Sequence, residues 1–136
     1  MSSADLRLDP SDEFCHPIES APNFNESMYV NVMDGAHGLG AWVRVGNRPN
    51  EGHAEVSCCV YLPDRQVGFF FGRPECRAND ALAAGGAAFE VVVPFEQLRV
   101  SYAGPLIVLA EPREMIDPKR ALANNPIVDS RLELTL

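Results

Sequence analysis

The segment HAEVSCCVYL, residues 53–62, places a histidine and a glutamate at a spacing that could support catalysis. Side chains two residues apart in a β-strand lie on the same face, so His53 and Glu55 would be neighbours. A carboxylate can orient an imidazole, and the two groups could then act as general acid and base. The alternative is a surface pair of charges, which stabilises a sheet by only about 0.2–1 kcal/mol. Glu26 is a third candidate acid, in the segment NESMYV.

Aromatic and polar side chains share one face in three of the strand-like segments. They alternate with apolar residues, as expected for strands that place one face on a core. Such a mixture lines the binding cavities of small β-barrels, although it would also suit the solvated side of an antiparallel sheet. The candidate ligand-binding residues on this face are Tyr29, Asn31, Trp42, Arg44 and Tyr61.

The sequence lacks the motifs of well-known catalytic and cofactor sites. It contains no GxSxG, P-loop, HExxH or dinucleotide-binding fingerprint. Its four cysteines form no CxxC or Cys/His cluster that would hold zinc. Cys58 and Cys59 are adjacent, so in a strand they point to opposite faces. We therefore predict buried thiols rather than a disulfide or a catalytic thiol, and we expect neither a cofactor nor a metal.

The elements that must position these residues are short strands separated by turns. Each segment is rich in apolar and β-branched residues and is bounded by Gly, Pro, Asn or Asp. Eight such segments at this spacing predict an all-β, antiparallel barrel or sandwich. The segments are residues 27–33, 39–46, 53–62, 66–72, 87–94, 97–104, 106–110 and 130–136.

Helical signals occur in two places. In residues 117–126, Asp117 can cap a helix that begins at Pro118 and stops before Pro126. We predict one short helix there, crossing between strands. Residues 77–86 could hold one or two helical turns before a glycine pair ends them.

The domain organisation follows from length and composition. A chain of 136 residues has the size of one domain. Residues 1–25 contain three prolines and several acidic residues, which predicts an irregular N-terminal arm, and residues 26–136 predict a single β domain. The final residues, RLELTL, alternate strictly. This pattern predicts a strand that pairs at a sheet edge with a second copy, as a homodimer, or with a second homologous domain.

Charge and hydropathy exclude several classes of partner. The formal net charge is −8 and Lys119 is the only lysine, so we expect no nucleic acid and no anionic membrane surface as partner. The N-terminus has neither the basic region nor the apolar core of a secretory signal. No apolar run approaches the roughly 20 residues that span a bilayer. These features predict a cytoplasmic protein without membrane insertion.

Three longer stretches carry a family resemblance. They are APNFNESMYVNVMD, GLGAWVRVGNRPNEGHAEVSCCVYLPD and RPECRANDALAAGGAAFEVVVPFEQLRVSYAG. Together they resemble an uncharacterised group of bacterial proteins known only as domains of unknown function. That group is distantly similar to the lipocalin-like proteins of the carotenoid 1,2-hydratase and AttH type. The resemblance implies a lipocalin-like β fold that holds a hydrophobic small molecule, in the first half of a protein with two related halves.

Three functions remain open at this stage. The leading hypothesis is a lipocalin-like binding domain for a terpenoid-, steroid- or lipid-like molecule. The second is a cofactor-free hydratase or isomerase acting on an isoprenoid-like double bond. In that case Glu55 or Glu26 would be the acid or base, and Arg44, Tyr29 or Tyr61 would orient the substrate. The third is a β subunit that self-associates through a sheet edge and has no chemistry of its own.

Overall fold

The computed structural model describes residues 7–136, in which eight antiparallel strands follow the predicted segments closely. Apolar and β-branched residues recur at alternate positions, a pattern that favours a half-buried strand over a helix. The strands are β1 (Glu26–Asp34), β2 (Leu39–Arg48), β3 (His53–Tyr61), β4 (Val67–Gly72), β5 (Ala83–Ala84), β6 (Ala87–Val93), β7 (Gln97–Leu109) and β8 (Ile127–Thr135).

The strands form one sheet in the order β1-β2-β3-β4-β7-β6-β5, with β8 paired to β7. The long β7 pairs with β6 near its start and with β4 near its end, and β8 runs along its other side. Within residues 7–136, β1 pairs only with β2 and β8 only with β7. The predicted all-β antiparallel class is confirmed, and the sheet is open rather than closed into a barrel.

The hydrophobic core lies on one face of the sheet, which we call the inner face. Alternate residues of β2 and β3, such as Val43, Val45 and Val56, are fully buried there. They pack against β6 and β7, where Val100 and Tyr102 are also fully buried. Full burial of a valine contributes about 1.5–3 kcal/mol. The alternation in the sequence therefore identified the inner face of β2 and β3 correctly.

β7 is continuous where the sequence predicted two strands, 97–104 and 106–110. The predicted break at Pro105 is wrong, because Pro105 pairs with Asp129 inside the ladder to β8. On the other side of β7, the pairing with β6 ends at Tyr102 and the pairing with β4 begins at Ile107. A proline, which lacks the N–H donor, is tolerated beside such a gap.

The helix predicted within residues 117–126 is confirmed as α1 (Pro118–Asn124), capped by an Asp117 carboxylate that accepts a hydrogen bond from Arg120 N. The helical turns predicted for residues 77–86 are wrong. That segment is irregular up to β5, and a glycine pair turns the chain from β5 into β6. Its carbonyl at Ala81 accepts a hydrogen bond from the Asn47 side chain, so tertiary contacts outweigh the helix propensity of the alanines.

The described part of the N-terminal arm begins with a 3-10 turn, Pro10–Glu13, capped by Asp9. The arm then runs to β1 without regular structure, and the side chain of Asn50 donates hydrogen bonds to the carbonyls of Glu19 and Ala21. Residues 1–6 of the predicted arm lie outside the described residues. The boundary between arm and domain at residue 25 stays a prediction. No helix in the described residues is long and apolar enough to cross a membrane.

Candidate functional site

The face opposite the core, which we call the outer face, gathers the predicted ligand-binding residues. Trp42 lies at its centre, with ring centroids of Tyr29 and Phe69 at 6.1 and 6.5 Å. Directly paired residues form a row across six strands, and paired residues share a face. The row consists of Asn31, Trp42, Cys59, Phe69, Ile107 and Ile127. This face is open to solvent and does not line the interior of a barrel.

An apolar groove of about 260 Å³ lies at one end of the outer face, between β4 and α1. Phe69 and Phe71 form the β4 side of the groove, and Leu122 of α1 and Ile127 of β8 form the other side. Phe71 is 50% exposed and Ile127 is 67% exposed, so this surface is available to a ligand. The groove extends the aromatic row around Trp42 into a concave apolar surface.

Three arginines surround the Glu55 carboxylate beside this groove, and we call them the arginine cluster. The nearest guanidinium nitrogens of Arg44, Arg48 and Arg73 lie 3.5, 3.6 and 3.5 Å from its oxygens. These distances exceed the 2.7–2.9 Å of a good charge-assisted hydrogen bond. Arg48 also contacts Glu51 at 3.0 Å. Glu55, which the sequence pattern paired with His53, is therefore surrounded by positively charged side chains instead.

His53 and Glu55 share the outer face, as predicted, but no hydrogen bond or ion pair joins them in the described residues. Instead His53 forms an isolated β-bridge with Glu75, and Glu55 contacts the arginine cluster. Glu26 follows the alternation of Met28 and Val30 and lies on the inner side of β1, away from Glu55. The structure therefore does not bring the three candidate catalytic residues together.

Glu26 anchors the N-terminal arm through a chain of hydrogen bonds. His16 Nδ1 lies 2.9 Å from Glu26 Oε1, and the His16 backbone N–H donates to Oε2 at 3.0 Å. The Asn79 side chain donates to Oε2 and accepts from Asn47, at 3.3 and 3.0 Å. Asn47 is 1% exposed. The sequence held one signal for this network. Asn47 is polar, yet it stands two residues after Val45, at a position that the alternation of β2 assigns to the core.

The pKa values of Glu26 and His16 shift in opposite directions. Partial burial acts to raise the pKa of Glu26, but hydrogen bonds from His16 and Asn79 outweigh burial and hold the pKa below its usual 4.5. The hydrogen bond to Glu26 raises the pKa of His16 above its usual 6.5. A general acid near neutral pH needs a carboxyl with a raised pKa. Glu26 has the opposite shift, and the catalytic roles of Glu26, Glu55 and His53 stay predictions that this geometry does not favour.

These shifts predict a pH window for the anchoring of the arm. The contribution of His16 to stability is fully present below pH 6.5 and is lost as the pH rises through its raised folded pKa. The contribution of Glu26 is fully present above pH 4.5 and is lost as the pH falls through its lowered folded pKa. Replacing Glu26 with glutamine should therefore lower the melting temperature most between pH 4.5 and 6.5.

Titration of the His16 ring by NMR gives a second readout of the same contact. Its pKa should fall in the Glu26→Gln variant and stay unchanged in Glu133→Gln, which removes an exposed carboxylate on β8. An equal His16 pKa in all three proteins would show that the contact with Glu26 does not form in solution.

Two of the four cysteines, Cys58 and Cys59, are buried as predicted, whereas Cys15 and Cys76 are only partly buried. All four are free, and Cys58 lies in the core, where burial raises the pKa of its thiol to about 12. Cys59 is buried on the outer face beside Trp42 and Tyr61, and burial raises its pKa as well. A thiol with a raised pKa is a poor nucleophile. Within residues 7–136 no group of three His, Cys, Asp or Glu side chains is placed to hold a metal ion.

Sequence reasoning missed several residues of the outer face. Phe69 and Phe71 belong to the run FFF, where three consecutive aromatics hide the alternation that separates the two faces. Arg48 and Arg73 stand at strand ends, outside the alternating segments 39–46 and 66–72 from which the outer face was assigned. A strand order that places β3 between β2 and β4 brings both of them to Glu55.

Comparison with known proteins identifies one family. The model of a domain of unknown function, DUF7064, matches residues 9–135. No curated protein and no solved structure matches the chain. The match confirms the predicted resemblance to a family of unknown function. It does not extend to the carotenoid 1,2-hydratase and AttH proteins, and that part of the resemblance stays a prediction.

Proposed function

The chain belongs to the DUF7064 family of domains of unknown function, and we propose that it binds a hydrophobic small molecule on the outer face of its sheet. The observation that carries this proposal is the groove between β4 and α1, which continues into the aromatic row around Trp42. Small-molecule sites are concave and mostly apolar, with a few polar groups that orient the ligand. The groove is concave and lined by apolar side chains, and the arginine cluster beside it supplies polar groups.

The size of the groove limits how the ligand lies. About 260 Å³ is slightly below the roughly 300–1,000 Å³ of typical small-molecule sites. A terpenoid-, steroid- or lipid-like molecule would therefore fill the groove with one end and extend over Phe69 towards Trp42. Aromatic side chains suit this role because they offer a large apolar surface with few rotatable bonds.

A neutral fluorescent probe tests the proposal directly. We expect N-phenyl-1-naphthylamine to bind the native protein and to change the emission of Trp42, which is the only tryptophan. Replacing Ile127 with lysine places a charge in the groove and should weaken binding about tenfold or more, because desolvating an ammonium group is costly. The affinity is measured by titration of probe fluorescence.

Val128 supplies a matched control for Ile127. It is the next residue of β8, is 46% exposed, and points to a cleft on the inner face lined by Val60 and Leu132. The Val128→Lys variant should bind the probe like the native protein. Loss of binding in Val128→Lys but not in Ile127→Lys would move the ligand to the inner cleft and would overturn the proposed site.

Self-association is the second candidate function, and the unpaired edges of β1 and β8 favour it. β1 and β8 each pair on one side only in the described residues, and an unpaired strand can add a strand from a partner. Light scattering on the titrated samples separates this candidate from small-molecule binding. A monomer at every concentration would exclude a homodimer.

A further inference from the structure

The arginine cluster carries more positive charge than its partners neutralise. Arg44, Arg48 and Arg73 face two carboxylates, those of Glu55 and Glu51. One positive charge is left over, in a chain whose net charge is −8. A local surplus of this sign at the end of an apolar groove is complementary to a small anion.

The arginines also have unused hydrogen-bond donors. A guanidinium carries five N–H donors, yet Arg44 and Arg73 each have one polar contact in residues 7–136, at 3.5 Å. The Nε of Arg48 is buried and has no hydrogen-bond partner there. A Cβ at position 46 would crowd the Arg44 guanidinium. Because Gly46 has no Cβ, the guanidinium keeps that space. The cluster therefore has the donors and the access that an additional acceptor requires.

Phe71 connects the cluster to the groove. Its ring lines the groove, and the Arg73 guanidinium lies over that ring at 5.6 Å from the centroid. In the sheet, Phe71 pairs with Ser57, and Ser57 pairs with Arg44. Two strand spacings, about 10 Å, therefore separate Phe71 from Arg44. A ligand with its apolar body in the groove can reach the cluster with one end.

We propose that the ligand is amphipathic and carries a single oxyanion head group, such as a carboxylate, that binds between Arg44 and Arg73. This inference rests on the proposed binding function of the groove. Arginine suits such a head group because its planar fork can donate two parallel hydrogen bonds to one oxyanion. Glu55 holds the guanidinium groups together in the free protein and competes with the head group for them.

Two probes with the same rings separate the head group from the apolar body. 1-Anilinonaphthalene-8-sulfonate is N-phenyl-1-naphthylamine with a sulfonate added. We expect the native protein to bind the sulfonate more tightly. Arg44→Met and Arg73→Met should each weaken sulfonate binding about tenfold and weaken binding of the neutral probe far less. Glu55→Gln should strengthen sulfonate binding, since it removes the competing charge.

The control variant is Arg99→Met, which removes an exposed arginine whose partner is Glu90. It should leave both affinities unchanged, and added salt should weaken only sulfonate binding. Equal losses for both probes in Arg44→Met, or no loss for either, would overturn the oxyanion site while the groove remains. Failure of the neutral probe to bind, with Arg44-dependent sulfonate binding retained, would instead overturn the apolar groove. Failure of both probes to bind would overturn both proposals.

Discussion

Replacing Tyr102 with alanine should lower the free energy of unfolding by about 3–5 kcal/mol, the range for loss of a large aromatic side chain from a core. Tyr102 is fully buried on the inner face, and its ring packs against Phe70 with centroids 5.5 Å apart. Its hydroxyl donates a hydrogen bond of 2.6 Å to the Pro105 carbonyl. Urea unfolding followed by circular dichroism measures the loss.

The Tyr102→Phe variant separates the ring from the hydroxyl. It keeps the packing and leaves the Pro105 carbonyl without its donor, which should cost about 1–3 kcal/mol. This hydrogen bond joins two positions of β7 on either side of Gly104, where the tyrosine ring approaches the backbone closely. If phenylalanine costs as much as alanine, the hydroxyl and not the packing of the ring dominates the role of Tyr102.

The fold was largely predictable because the strands alternate cleanly. In β2 and β3 every second residue is apolar apart from Asn47, so the alternation alone assigns Val43, Val45 and Val56 to the core, where they lie. The same rule failed where local patterns were ambiguous. Pro105 suggested a strand end, but the gap between β6 and β4 beside it makes a proline acceptable inside the ladder.

The candidate site was predictable only in part, because alternation assigns residues to a face but does not show what surrounds that face. Tyr29, Trp42 and Arg44 were correctly grouped together. Whether this face encloses a cavity depends on how strands distant in sequence are ordered in the sheet. The sheet is open, so the face is exposed to solvent. The shape of the groove depends on α1, which reaches β4 from a distant part of the sequence.

The partners of the carboxylates were unpredictable for a related reason. His53 is the nearest histidine to Glu55 in sequence, but two strand ends bring Arg48 and Arg73 closer in space. Charge favours that outcome, since an arginine is always ionised and attracts the carboxylate. A pattern within one strand therefore cannot decide which partner a central glutamate takes.

Replacing Gly86 with alanine should destabilise the protein by at least about 2 kcal/mol. Gly86 completes the turn between β5 and β6 with φ +89°, a conformation that costs an L-residue energy. An added Cβ would also clash with the carbonyl oxygen of Ala103. The Gly86 carbonyl accepts a hydrogen bond from the Ala103 N–H, so any shift that relieves the clash also weakens the attachment of this turn to β7.

Gly35 provides the matched control, because it lies in the turn between β1 and β2 with no atom within 4 Å of an added Cβ and no positive φ. Gly35→Ala should change stability by no more than about 1 kcal/mol, in either direction. Both variants are compared by thermal unfolding at one pH. An equal effect at the two positions would show that the contact between the β5–β6 turn and β7 is loose in solution. A large loss at Gly86 alone would show that this turn depends on a glycine to pack against the edge of β7.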